Sequence, residues 1–148
     1  MDSNLLHRIR LKGPWEILPP EENLDDVPSS KQDQTWQRHA MPMDWRALFG
    51  ESAGKAWFRR RFHRPSGLTS DECVQIYLPE GVGDVSDFHI NQKPLQPASE
   101  EPIRFDVTAE LEDFNELLFA ITFDPTANRS LPGGLWETVF VEIHSKSS

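Results

Sequence analysis

The chain is predicted to be an all-β protein, an antiparallel β-sandwich of the jelly-roll type. Short apolar runs with period-two alternation recur along most of its length, turn residues separate them at close spacing, and helical spacing shows in a single brief segment. About seven or eight strands follow from that pattern.

Ile9, Leu11, Trp15 and Ile17 alternate around Gly13-Pro14, which reads as one opening strand interrupted by a turn or bulge. Residues 19 to 44 are rich in Pro, Asp, Glu, Ser and Gln, and form a long polar loop in which Trp36 is the large aromatic. Met43 to Phe49 reads as a short helix ending before Gly50, with Trp45 and Leu48 three apart to dock on a sheet. Gly54 to Pro65 is a strand with bulk on both faces. Phe58 and Phe62 point to the core, while Trp57 lies under a covering loop beside Arg59 and Arg61. Val74, Ile76 and Leu78, then Phe88 and Ile90, then Ile103, Phe105 and Val107 mark half-buried strands. Leu117 to Phe123 is apolar on both faces and is expected at a sheet centre, and the last strand runs from Leu135 to His144.

The 148 residues are a one-domain length, with the core expected over 7–144. Fifteen basic against 24 acidic residues give a net charge of -9, which opposes binding to nucleic acid or to an anionic membrane. Arginines 59, 60, 61 and 64 are dense, but alternation sends them to opposite faces, so they are expected to pair with carboxylates rather than form one basic patch. Cys73 is the sole cysteine and is expected to be buried and inert. No apolar run has the length of a signal peptide or membrane span, and a cytoplasmic location is the default expectation.

Catalytic signatures are sparse. His7, His39, His63, His89 and His144 lack metal-ligand spacing, no G-x-S-x-G elbow or glycine-rich phosphate loop occurs, and no cofactor or metal is expected. Asp84, Asp87, Asp124 and Glu100-Glu101 are loop carboxylates without calcium-loop spacing and read as solvated.

Seven short motifs occur in order: L-x-G-x-W (Leu11 to Trp15), M-P-x-x-W (Met41 to Trp45), G-x-x-W-F-R-R-x-F (Gly54 to Phe62), I-N-x-x-x-L (Ile90 to Leu95), F-D-V-T (Phe105 to Thr108), N-x-L (Asn115 to Leu117) and G-G-L-W (Gly133 to Trp136). Together they resemble the N-terminal sugar-binding domain of glycoside hydrolase family 2, the β-galactosidase and β-glucuronidase family. The resemblance implies a galactose-binding-like jelly roll, standing alone and non-catalytic. In that family the hydrolytic carboxylates lie on a separate (β/α)8 barrel of ~250 residues, for which this chain has no room.

On the residues themselves, Asn91 suits a left-handed turn position, Asp106 and Thr108 can bond their own backbone, and Gly133-Gly134 permits a sharp corner. The family commonly has Asn-Gly where this chain has Asn91-Gln92, so a differently shaped loop is expected there. Asn128 stands where the β-glucuronidase branch carries an aspartate, and Glu137 where an arginine is frequent. A carbohydrate site would draw on Trp36 and Trp136 for stacking, and on Asn91, Asn128 and Arg129 for hydroxyls. The partner expected is therefore a carbohydrate or glycan-bearing molecule. The alternative is a protein-interaction module, such as an accessory subunit of a separately encoded hydrolase.

Overall fold

The computed structural model describes residues 5–20 and 36–146. They form a two-layer antiparallel β-sandwich, as the alternation predicts. Its strands are β1 (Leu5–Arg10), β2 (Gly13–Leu18), β3 (Gln37–Met41), β4 (Gly54–His63), β5 (Glu72–Leu78), β6 (Asp84–Ile90), β7 (Lys93–Pro94), β8 (Ser99–Glu100), β9 (Ile103–Asp106), β10 (Phe114–Phe123) and β11 (Phe140–Ser145). One helix, α1 (Trp45–Phe49), follows β3. One sheet has the order β1-β11-β5-β9-β8 and the other β3-β2-β4-β10-β6-β7.

The opening segment differs from the sequence reading. β1 pairs with β11, whereas β2 pairs with β3 and β4 in the opposite sheet, so the interrupted strand is two strands that change layers at Gly13. Gly13 holds φ +82°, a conformation that costs glycine little, and this allows the corner. The polar loop is also shorter than expected at its C-terminal end, because Gln37–Met41 pairs along β2. Residues 21–35 of that predicted loop lie outside the described residues. At the other end of the chain, Leu135 to Val139 is irregular, although Leu135 and Val139 are buried, and the last strand begins at Phe140.

β10 lies between β4 and β6, as its two apolar faces predict. Inward side chains from both layers fill the space between them. Phe88 of β6 stacks on Phe105 of β9 with centroids 3.6 Å apart, and Trp15 meets Phe119 edge-on at 5.9 Å. The buried Trp15 indole donates to the Leu11 carbonyl at 3.0 Å, so its one polar atom is satisfied.

Helix α1 plugs one end of the sandwich. Asp44 caps it by accepting from the Ala47 amide at 3.1 Å, and Gly50 ends it at φ +65°. Trp45 is fully buried against Phe49 and Phe123. The Gly133-Gly134 turn packs beneath it: a Cβ on Gly133 would sit 2.4 Å from the Phe123 ring. The glycines are thus required by space as well as by φ.

Candidate functional site at one end of the sandwich

The start of β4, the start of β6 and the end of β10 lie side by side, since Gly54 pairs with Phe123 and Asp84 with Thr122. The loop that leaves β10 folds back over this end. Arg46 of α1 pins it, donating to the carbonyls of Leu131 at 2.8 Å, Pro125 at 2.7 Å and Asn128 at 3.3 Å. A cleft of about 490 Å³ opens between these elements, with Gly83, Asp84, Thr122, Asp124, Asn128 and Leu131 in its wall.

The cleft is rich in acceptors. Asp124 spends Oδ1 on the Thr126 hydroxyl at 2.7 Å and on the amides of Thr126 and Ala127, and the Thr126 hydrogen bond foremost holds its carboxyl below the usual range. The Asn128 side chain donates through Nδ2 to the Asp124 carbonyl at 3.0 Å. Asp124 Oδ2, Asn128 Oδ1 and the Asp84 carboxylate have no partner among the described residues. Such a set suits hydroxyl donors. A larger side cleft of about 570 Å³, between β6–β7 and β8–β9, shares Gly83 and Asp84 with the end cleft, so the two grooves adjoin there. Asp87 stands in the side cleft at φ +55°, at the bulge where β6 slips register against β10. Lys55, at 2.8 Å, is the chief reason its carboxyl lies below the ordinary range.

The sequence-expected site residues divide among three places. Asn128 lines the end cleft, and Arg129 is exposed on the same loop. Trp136 stands behind the cleft wall rather than in it: its indole donates to the Glu80 carbonyl at 2.7 Å, and a Cβ on Gly81 would lie 3.4 Å from that nitrogen. Trp36 is on the outer face of the six-stranded sheet. There it packs with Leu18, Trp57 and Ala120 and lies under the Arg59 guanidinium at 4.0 Å. Arg59 in turn reaches Glu16 at 2.7 Å and Glu116 at 3.5 Å, the carboxylate pairing expected of the strand arginines.

Asn91 is at the far end of β6 from Asp84. Its Nδ2 donates to the Glu110 carbonyl and to Asn115 Oδ1, and its Oδ1 accepts from the Glu116 amide, all at 2.9 Å. The hairpin it opens corrects the expectation of a differently shaped loop. Asn91 and Gln92 hold φ +52° and +71° between the paired residues Ile90 and Lys93, so the tight two-residue primed turn forms without the glycine. Asparagine tolerates the first position, and its hydrogen bonds to Glu110, Asn115 and Glu116 hold it there.

Sequence reasoning passed over Arg46, whose role depends on a loop far away in the chain. It also missed Glu142, which is fully buried on the outer side of β11 with Arg8 at 2.7 Å, Arg104 at 2.7 Å and His144 at 2.9 Å. Burial raises the Glu142 pKa, but hydrogen bonds from Arg104, His144 and Arg8 outweigh it and leave the carboxyl below its ordinary value. A glutamate alternating with Val141 and Ile143, with His144 two residues on, was the available signal, but its arginine partners come from other strands. Cys73 is half-buried, and burial foremost pushes its thiol up.

Neither a protein-family model nor a curated protein sequence matches this chain. Solved structures do. A β-glucuronidase from Ruminococcus gnavus, in complex with uronic isofagomine, superposes with TM-score 0.69 at 14% identity over 97% of this chain and 30% of its own. A glycosyl hydrolase family 2 member from Bacteroides cellulosilyticus gives TM-score 0.63 at 14% identity over 93% of this chain and 21% of its own.

The fold is one found in glycoside hydrolase family 2 proteins. A rhamnosidase from Novosphingobium sp. PP1Y shares it as well, with TM-score 0.67 at 16% identity, over 97% of this chain and 15% of its own. This chain therefore spans 15 to 30% of the length of these three proteins. Among the described residues no helix is long and apolar enough to cross a membrane, and no group of three His, Cys, Asp or Glu is placed to hold a metal ion.

Proposed function

We propose that this sandwich is a non-catalytic carbohydrate-binding-like module that takes a sugar in the end cleft. One observation carries the reading: Asp84, Asp124 Oδ2 and Asn128 Oδ1 present acceptors without partners among the described residues to one groove. Sugar hydroxyls are the donors that such a set satisfies. The side cleft adjoining at Gly83 and Asp84 favours a chain of more than one sugar unit over a lone monosaccharide. Trp136 acts here as a positioning residue for the Gly81 wall, and Arg129 as a rim contact.

Calorimetric titration with a panel of neutral mono- and oligosaccharides tests the reading. Binding is expected to weaken about tenfold or more in Asn128→Ala and in Asp84→Ala, since each removes a hydrogen bond to the ligand worth ~1.5 kcal/mol. Silence across the panel overturns it, and turnover of nitrophenyl glycosides by the pure protein overturns its non-catalytic part. The second reading is an accessory domain that docks on a separately encoded glycoside hydrolase. Its support is that related folds occur as 15 to 30% of larger proteins. A stable complex with such a hydrolase, together with no sugar affinity, would favour it.

A further inference from the structure

At the end of the sandwich remote from that cleft, a second groove has the opposite character. It is about 430 Å³ in volume and opens between β1 and β4, which belong to different sheets. Arg10, Arg60, Arg61 and His63 line it, and no carboxylate does. In a chain of net charge -9 that is an uneven distribution. Alternation separates Arg59 from Arg60, but Arg60 and Arg61, expected on opposite faces, both line this groove because it lies at the open edge between the sheets, and Arg10 joins them from β1.

The charges in this groove are poorly compensated. Arg60 shares the inward face of β4 with Phe58 and Phe62, and its guanidinium emerges between the sheets. There all three nitrogens donate to backbone carbonyls, Nε at 3.2 Å and Nη2 at 2.5 Å to Lys12 O and Nη1 to Arg61 O, and the group has no carboxylate partner among the described residues. Burial lowers its pKa, the mark of a desolvated cation. Arg10 has no partner among the described residues. Arg61 meets Glu116 at 3.9 Å, and that carboxylate is shared with Arg59 at 3.5 Å.

The remaining wall is apolar. Ile9, Phe62 and Val141 form the floor, and Phe114, 52% exposed, stands at the mouth with its ring 4.9 Å from that of His63. An exposed aromatic beside the Arg10 and Arg60 guanidiniums, neither of which has a carboxylate partner among the described residues, offers an apolar contact and charge-assisted hydrogen bonds together. We propose that this groove binds a small organic carboxylate with an apolar ring, its carboxylate between Arg10 and Arg60 and its ring against Phe114 and Val141. The volume is within the range of small-ligand sites. Inorganic phosphate would satisfy the charges but leave the apolar wall wet. A neutral ring would do the reverse.

Amide-resolved NMR titration with 2-naphthoate, 2-naphthamide and inorganic phosphate tests this. Naphthoate is expected to shift the amides of residues 9–11, 60–63 and 114 saturably. The amide and phosphate should bind at least about tenfold more weakly, and Arg60→Gln should weaken naphthoate by a similar factor. Should Arg60→Gln not fold, Arg10→Gln, at an exposed position, is expected to lose about fivefold on its own. Absence of saturable shifts up to about 10 mM, a limit near the weakest measurable site affinity, overturns the proposal. Equal affinity for naphthamide overturns it too, as does equal affinity for phosphate at the same amides.

Discussion

Replacement of Asn91 by alanine separates a fold role from a binding role at one of the residues the sequence marks for carbohydrate. The side chain makes three hydrogen bonds of 2.9 Å, to Glu110, Asn115 and Glu116. Each is worth about 1 kcal/mol net, and alanine at φ +52° adds about 1 kcal/mol that asparagine largely escapes. The partner Asn115 is only 1% exposed, so the acceptor it offers to Asn91 cannot turn to water. The sum is a loss of about 4 kcal/mol, or a fall in Tm of about 10 °C for a domain of this size. Urea unfolding followed by tryptophan fluorescence measures it, with Asn91→Gly as the comparison. Glycine keeps the turn and loses only the hydrogen bonds, so it should cost about 3 kcal/mol. A loss below 1 kcal/mol in Asn91→Ala, with sugar binding abolished, would refute the structural assignment.

In the same turn, Gln92→Gly should stabilise the protein by about 1 kcal/mol, because Gln92 occupies φ +71° that glycine reaches freely; a higher midpoint in urea is the expected result. Gly133→Ala should cost about 3 kcal/mol or fail to fold, since its Cβ would meet the Phe123 ring at 2.4 Å and its φ is +72°, and thermal melts report this directly. Glu142→Gln should lose about 3 kcal/mol at pH 7 by leaving Arg8 and Arg104 facing a neutral group. The Glu142 carboxyl lies below its ordinary value in the fold. Its stabilisation is therefore present above about pH 4.3, the unfolded value, and disappears as pH falls through the lower folded value. Wild type and variant should accordingly converge in stability as pH is lowered below about 4.3, and a gap that stays constant as the pH falls would contradict the assignment.

The sandwich was legible because its signals are local. Phe58 and Phe62, or Leu117, Phe119 and Ile121, declare their faces by period two, and Gly133-Gly134 declares a corner by backbone freedom. The hairpin at Asn91-Gln92 was misread for an instructive reason. Residue preference for the turn is read from neighbouring positions alone, whereas Asn115 and Glu116 hold Asn91 in the turn from β10 and Gln92 follows at φ +71°. The candidate site was legible only in part. Asn128 was marked, but Asp84 and Asp124 read as ordinary loop carboxylates until β6 and β10 set them on one groove.

The amino-acid order by itself determined the layer count, the identity of most core residues and the resemblance to family 2 domains, because alternation and turn chemistry act over a few neighbouring positions. Tertiary structure alone decided what shares a surface. Gly13 passes the chain from one sheet to the other, so Arg10 comes to stand beside Arg60, fifty positions away. Glu142 finds its arginines on strands β1 and β9, and Arg46 holds a loop some eighty residues distant. Charge pairing and cleft formation depend on distance in space, which strand register sets and local sequence does not encode.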